Sequence, residues 1–281
     1  MTGFQGSAEP RPPEGFVGKY IWRGMGDGFG GFSAIEVLDG GQRFVALGDK
    51  AVLVSGRFDR DHTGRITAID AGPLRPLIAR KSGAPLTGRR ADSEGLAIDP
   101  DGGAYVSFEN RPRVARLNLQ SGAVADMKAH PRFAKLPRNG ALEALAAGEG
   151  PVLYAIPEES PGKRIPVFRW QDGTWDSALS LPRRGSFLPV AADVLDDRLY
   201  VLEREFRGIG GFASRLRRFD IADDGLTGEV TLLTTPLAMF DNLEGVSVWR
   251  DAQGGLRATM ISDDNFFWLQ QTQIVEFRLP D

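Results

Sequence analysis

Apolar and polar positions alternate along this chain in short runs broken by Asp- and Gly-rich turns, and one hairpin returns five times. Glu94-Gly-Leu-Ala-Ile passes through Asp-Pro-Asp-Gly-Gly to Ala104-Tyr-Val-Ser-Phe-Glu109. Glu143-Ala-Leu-Ala leads to Val152-Leu-Tyr-Ala-Ile-Pro-Glu158, and Glu244-Gly-Val-Ser-Val leads to Ala258-Thr-Met-Ile-Ser-Asp263. Ser33-Ala-Ile-Glu-Val pairs with Phe44-Val-Ala-Leu-Gly-Asp49, and a weaker copy runs from Val190-Ala-Ala-Asp-Val to Leu199-Tyr-Val-Leu-Glu203. The second acids, Asp49, Glu109, Glu158, Glu203 and Asp263, recur at steps of 60, 49, 45 and 60 residues. That is the length of one four-stranded propeller blade. Each unit holds about four strand-like stretches separated by turn chemistry. The run 140–147 is the one helix-like stretch, and its place in the repeat argues for a strand.

The expected fold is therefore all-β: a single β-propeller of five blades, each of four antiparallel strands. Six blades is the alternative, if one long unit contains a short blade. The last unit lacks a fourth strand, and residues 17–22 are the spare strand that closes the ring and removes its open edge. Residues 1–16 read as a disordered lead-in and 17–281 as the propeller domain.

In an antiparallel hairpin, residues whose numbers sum to a constant face each other. A turn centred near Gly102 sets Glu94 opposite Glu109, and the same spacing sets Glu143 opposite Glu158. Rotation about the propeller axis then gathers Ser33, Glu94, Glu143 and Glu244 at one mouth of the central channel. Asp49, Glu109, Glu158, Glu203 and Asp263 are expected one strand outward. Carboxylates converging on one axis repel when partly desolvated, so they protonate or hold a cation. All-oxygen ligands favour Ca²⁺ or Mg²⁺, and a roomy, wet channel favours the geometrically tolerant Ca²⁺. Solvation, or pairing with a neighbouring arginine, is the structural alternative for each Glu.

Loops at this mouth are basic, among them the stretches 80–90, 110–113, 130–138 and 182–184, whereas the far turns are rich in Asp. A cation ringed by Arg and Lys suits a small phosphorylated ligand. Lys50, Arg90, Arg111 and Arg204 are the candidates to hold its phosphate oxygens, and Glu109 or Asp263 the candidate base that activates water. The chain has 281 residues, no cysteine, two histidines and a formal net charge of −3. Thiol catalysis, disulfides and thiolate metal sites are thereby excluded, and nothing points to nucleic acid. No apolar run is long enough to span a membrane, and Met1–Pro10 has no signal-like apolar core. A Ser-His-Asp triad is rejected, for no Gly-x-Ser-x-Gly elbow occurs. The glycine-rich stretch 24–31 precedes no helix and reads as a loop, and Phe266-Phe-Trp268 reads as packing between blades.

Several of these pieces, taken in order, resemble the phytase-like family, "esterase-like activity of phytase". They are Asp92-Ser-Glu-Gly-Leu-Ala, Ser107-Phe-Glu-Asn-Arg-Pro-Arg-Val, Asn139-Gly-Ala-Leu-Glu, Leu202-Glu-Arg-Glu-Phe and Asn242-Leu-Glu-Gly-Val-Ser, with Ile261-Ser-Asp-Asp-Asn-Phe. The resemblance spans residues 31–279. It implies a β-propeller, hydrolytic activity and export, hence a periplasmic or secreted location if a signal peptide has been trimmed, and a cytoplasmic one otherwise. A more distant likeness is to calcium-dependent apyrases, whose channel calcium is held by Glu and Ser near blade starts. Ser33, Glu94, Glu143 and Glu244 match that scheme, while Val190-Ala191 departs from it. The functional expectation is a calcium-dependent hydrolase of phosphate esters. The alternative is a non-catalytic ligand- or partner-binding propeller with a structural calcium. A lactonase-type metal set stays open through Asn110, Asn242 and Asn265.

Overall fold

The computed structural model describes residues 11–24, 26, 28–223 and 225–281. Most of the expected lead-in lies outside the described residues. Strand β1 (Phe16–Ile21) comes first, and the first blade follows as β2 (Phe32–Leu38), β3 (Arg43–Gly48), β4 (Val52–Arg60) and β5 (Ile66–Ala71), with β6 (Arg75–Pro76) beside β4. The second blade is β8 (Ser93–Ile98), β9 (Ala104–Phe108), β10 (Arg113–Leu117) and β11 (Ala123–Asp126), and the short β7 (Ile78–Ala79) adds parallel to β11. The third is β12 (Ala144–Ala147), β13 (Leu153–Ile156), β14 (Arg164–Gln171) and β15 (Thr174–Pro182). The fourth is β16 (Leu188–Leu195), β17 (Arg198–Phe206), β18 (Phe212–Ala222) and β19 (Gly225–Thr234). The fifth is β20 (Asn242–Arg250), β21 (Leu256–Asp263) and β22 (Gln273–Arg278), and β1 is its outer strand. The chain is thus a five-bladed, all-β propeller. Helix among the described residues is limited to 3-10 turns, and the helix-like run 140–147 ends in strand β12.

The far-side turns explain their own sequences. Asp99 Oδ1 accepts the Gly103 N–H at 2.7 Å, and Asp251 Oδ1 accepts the Gly255 N–H at 2.9 Å. Gly102 and Gly254 supply the positive φ of each turn, at 85° and 81°. An Asp that caps the loop and a Gly that permits the left-handed step are what this connection demands.

Strands β2, β8, β12, β16 and β20 stand innermost, each packed against the next around the ring. The residue after each mouth position is small: Ala34, Gly95, Ala144, Ala191 and Gly245. A Cβ on Gly95 would lie 2.7 Å from the Leu145 Cβ, and one on Gly245 would lie 2.8 Å from the Ala34 Cα. The repeated Glu-Gly is thus a packing requirement, because the neighbouring blade leaves no room for a side chain. Pairing register also slips between Phe32 and Ala34, Ser93 and Leu96, Pro189 and Ala191, and Leu243 and Gly245. The bulge corrects the expected facing. Glu109 is opposed by Asp92, whose carbonyl accepts its N–H at 3.0 Å, and Asp263 is opposed by Asn242. Glu94 and Glu244 sit within bulges, where an unpaired residue can aim its side chain away from the sheet face. In the third blade Ala144 pairs Ile156, so Glu143 and Glu158 are likewise offset from direct opposition.

Ring closure rests on β1. Lys19 pairs Val275 and Tyr20 pairs Ile274, while Phe16 packs on Phe240 and Phe277 at centroid distances of 5.8 and 5.6 Å. Val17 points inward and is buried, and Lys19 is exposed. Val17→Asp should therefore cost about 3 kcal/mol in urea unfolding, while Lys19→Asp should cost less than about 0.5 kcal/mol. Equal effects would mean that the strand does not close the barrel edge.

Candidate functional site

At the mouth the five blades contribute Ser33, Glu94, Glu143, Val190 and Glu244 from their first strands. The second strands contribute Asp49, Glu109, Glu158, Arg204 and Asp263. The fourth blade differs from expectation in this second set. Its bulge pairs Pro189 with Glu203 and Leu188 with Arg204, so Arg204 takes the place that acids hold elsewhere. Glu203 turns to the opposite face, fully buried, where its Oε2 accepts the Arg215 Nε–H at 2.7 Å and the Arg217 Nε–H at 3.0 Å.

Asp92, Glu94 and Glu109 bring carboxylate oxygens within 4.8 Å of one another. Glu109 accepts the Gly140 N–H, and Asp92 accepts the Asn110 N–H at 3.2 Å. Burial pushes the Glu94 carboxyl well above the usual carboxylate range, and the charges of Glu244, Glu109, Asp92 and Asp49 push it further. Glu143 is raised in the same way, by burial and then by Glu94, Glu109 and Glu158. Glu109 is also raised, chiefly by burial. Asp49 is pushed up to about 6 by burial, against the pull of Lys50, and its buried Oδ1 has no hydrogen-bond partner among the described residues. Asp263 is pushed up to about 8 by burial and then by Glu244, although its Oδ1 accepts the Asn265 N–H at 2.6 Å. These carboxyls share one crowded, poorly solvated space, which is why they rise together.

Arg204 lies inside this acid group. Its Nη1 donates to Asn242 Oδ1 at 2.7 Å and to Glu244, and its Nη2 donates to Glu158 Oε1 at 2.7 Å. Burial opposes its charge, yet Glu244, Glu158 and Glu143 hold its pKa above the ordinary value. The guanidinium expected to grip a substrate is thus an internal counter-ion. Glu244 feels it, and the Asn242 Nδ2–H at 2.8 Å, but burial still leaves its carboxyl raised.

The other expected residues separate. The Ser33 hydroxyl donates to the Ser93 carbonyl at 2.9 Å, in the seam between blades one and two. Lys50 stands beside Asp49 with its Nζ 3.0 Å from the Phe266 ring centroid. Arg90 faces Asp126 at 3.8 Å, off the acid group, and Arg111 is exposed. Phe266-Phe-Trp268 does not fill a seam: Trp268 is 83% exposed. Met25 and Asp27 of the glycine stretch lie outside the described residues, but its last member, Gly31, donates its N–H to Asp264 Oδ1 at 2.9 Å. Asp92 is not among the expected site residues, and Asn242, expected only in a lactonase-type set, accepts from Arg204 and donates to Glu244. Their signal was a polar residue two places before each Glu-Gly, in Asp92-Ser-Glu-Gly and Asn242-Leu-Glu-Gly.

The far end of the channel holds a second buried pair. Glu36 accepts the Ile98 N–H at 3.2 Å and the Ser247 hydroxyl at 3.3 Å, and Asp193 accepts the Val248 N–H at 2.5 Å. Burial raises both, Asp193 to about 7.

Carboxyls raised in the folded state bind protons that the unfolded chain releases, so stability falls as pH climbs from about 4 through the folded values. Metal-free protein should be more stable at pH 5 than at pH 8, by a few kcal/mol in urea unfolding on the order expected for several such groups. Arg204→Gln should cost about 3–5 kcal/mol at pH 8 and distinctly less at pH 5, where the raised Glu244 carboxyl can take up a proton. A flat pH profile would contradict the crowding.

The model of the phytase-like family, "esterase-like activity of phytase", matches residues 27–266. No curated protein matches the chain in sequence. Among solved structures, hydrazine synthase of Kuenenia stuttgartiensis shares 11% identity, with a TM-score of 0.44 over 95% of this chain and 61% of that one. Virginiamycin B lyase from Staphylococcus aureus shares 16% at a TM-score of 0.45, over 95% of this chain and 75% of that one. PQQ-bound aldose sugar dehydrogenase from Streptomyces coelicolor shares 14% at a TM-score of 0.47, over 95% and 100%. With the ordered motifs of blades two to five inside a propeller and the family model spanning most of its length, the chain belongs to the phytase-like family.

Proposed function

We propose that this chain is a calcium-dependent hydrolase of phosphate esters that works at the acid-lined mouth of the channel. The observation that carries the reading is the Asp49 Oδ1, orphaned among the described residues, near Glu94 and Glu143, whose carboxyls, like its own, burial raises. Such a donor set, all oxygen and too crowded to ionise alone, fits a hard divalent cation. Asp92, Glu94 and Glu109 would hold it, with Glu143 and Asp49 beside them. Ser33 and Glu244, expected in that set, are taken up by Ser93 and by Arg204. When bound, calcium would polarise a phosphoryl oxygen and offset the negative charge of the ester.

The remaining chemistry falls to the chain's own residues. Of the two candidate bases, Glu109 belongs to the ligand set and is held by the Gly140 N–H. Asp263 has one oxygen on the Asn265 N–H and stands next to the acid group, so it is the carboxylate assigned to take a proton from attacking water. This reading assigns a phosphate oxygen to Lys50, since Arg204 is engaged, Arg90 faces Asp126 and Arg111 is exposed. The second reading, a non-catalytic ligand-binding propeller, draws support from Arg204, which supplies part of the mouth's compensation without a metal.

Phosphate release from phytate, a nucleotide and an aryl phosphate, each with calcium, separates the two readings. The hydrolase reading expects release from at least one, and a loss of about 10²-fold or more in kcat for Asp263→Asn with little change in KM. Calcium binding without any release would favour the non-catalytic reading, and full activity in Asp263→Asn would remove that residue from the chemistry.

A further inference from the structure

Beside the acid ring, on the same end of the propeller, lies a groove of opposite character. It consists of two adjoining cavities of about 450 and 650 Å³, and Lys135, Pro137, Glu159, Ser160 and Pro161 line both. The crossover from β11 to β12 forms one wall and the β13–β14 loop the other. Arg132 and Arg164 enter the first cavity and Arg183 enters the second.

The arginines are fixed in place by neutral acceptors. Arg164 donates from Nε to Ser180 Oγ and from Nη2 to the Ser180 carbonyl, both at 2.7 Å. Arg183 donates to the Ser160 carbonyl at 2.7 Å and to the Gly162 carbonyl at 3.2 Å. Arg132 donates to Ser177 Oγ at 3.3 Å. Among the described residues, no carboxylate comes within ion-pair distance of Arg132, Lys135, Arg164 or Arg183. Nearby arginines behave differently: Arg169 and Arg184 both meet carboxylates. The Ser160 hydroxyl oxygen is buried in this wall with no hydrogen-bond partner among the described residues.

Carbonyl and hydroxyl acceptors orient a guanidinium without neutralising it, so the charge stays available and the ordering cost is already met. Three guanidiniums and an ammonium present more donors than one carboxylate can use. A ligand with several phosphate groups can use them. We propose that this groove binds a small polyphosphorylated anion, and that it does so without any cation at the channel mouth. The inference does not rest on the hydrolase reading, because the groove shares no residue with the acid ring.

The test is calorimetric titration with tripolyphosphate in EDTA at low salt. Wild-type protein should bind about one equivalent, and the double variant K135Q/R164Q should bind at least about tenfold more weakly. Both substituted side chains are exposed, and urea unfolding of the variant checks that its fold is intact. Arg89→Gln removes an exposed basic residue of the same face outside the groove and should match wild type. Absence of binding by wild type in EDTA, equal affinity in the double variant, or equal weakening in Arg89→Gln would each overturn the proposal.

Discussion

The close approach of five inner strands is the constraint on which the channel mouth depends. Each blade must present a small residue to its neighbour, and at Gly95 and Gly245 even a Cβ does not fit. The residue just before is thereby pushed to the axis. With Glu94, Glu143 and Glu244 at that place, like charges converge where water is scarce. Packing, not the chemistry of any one side chain, creates the electrostatic problem.

The chain answers that problem with one arginine. Arg204 stands where the other blades have acids and joins Glu158 to Glu244 across the mouth. Asp92, Glu94 and Glu109, on the other side, have no cationic side chain among their hydrogen-bond partners within the described residues. The mouth is therefore asymmetric: one side is compensated from within, and the other depends on protons or on a bound cation. At the far end, Glu36 and Asp193 settle on peptide N–H groups and a serine hydroxyl of neighbouring blades, which makes them clasps between blades.

Blade number, ring closure by the first strand and the gathering of Glu94, Glu143 and Glu244 at one end were legible in the sequence. Each rests on a repeat whose turns and alternation are local signals. The bulge was not legible, because alternation alone does not reveal an extra residue in one strand. That single residue moved Asp92 opposite Glu109, moved Asn242 opposite Asp263, and exchanged Glu203 for Arg204 in the acid ring. The individual contacts of the basic loops were not legible. A flexible side chain in a turn follows its nearest acceptor, as Arg90 follows Asp126. Trp268 is exposed in the connection between β21 and β22, whose conformation the strand pattern does not encode.

Calcium titration of metal-free protein at pH 7.5, in buffers of different ionisation enthalpy, tests the central claim most directly. Crowded carboxyls that hold protons above their usual range must release them when a divalent cation takes their place. The account predicts saturable binding with net proton release, both weakened in Glu94→Gln. Binding without proton release, or no binding at millimolar calcium, would contradict it.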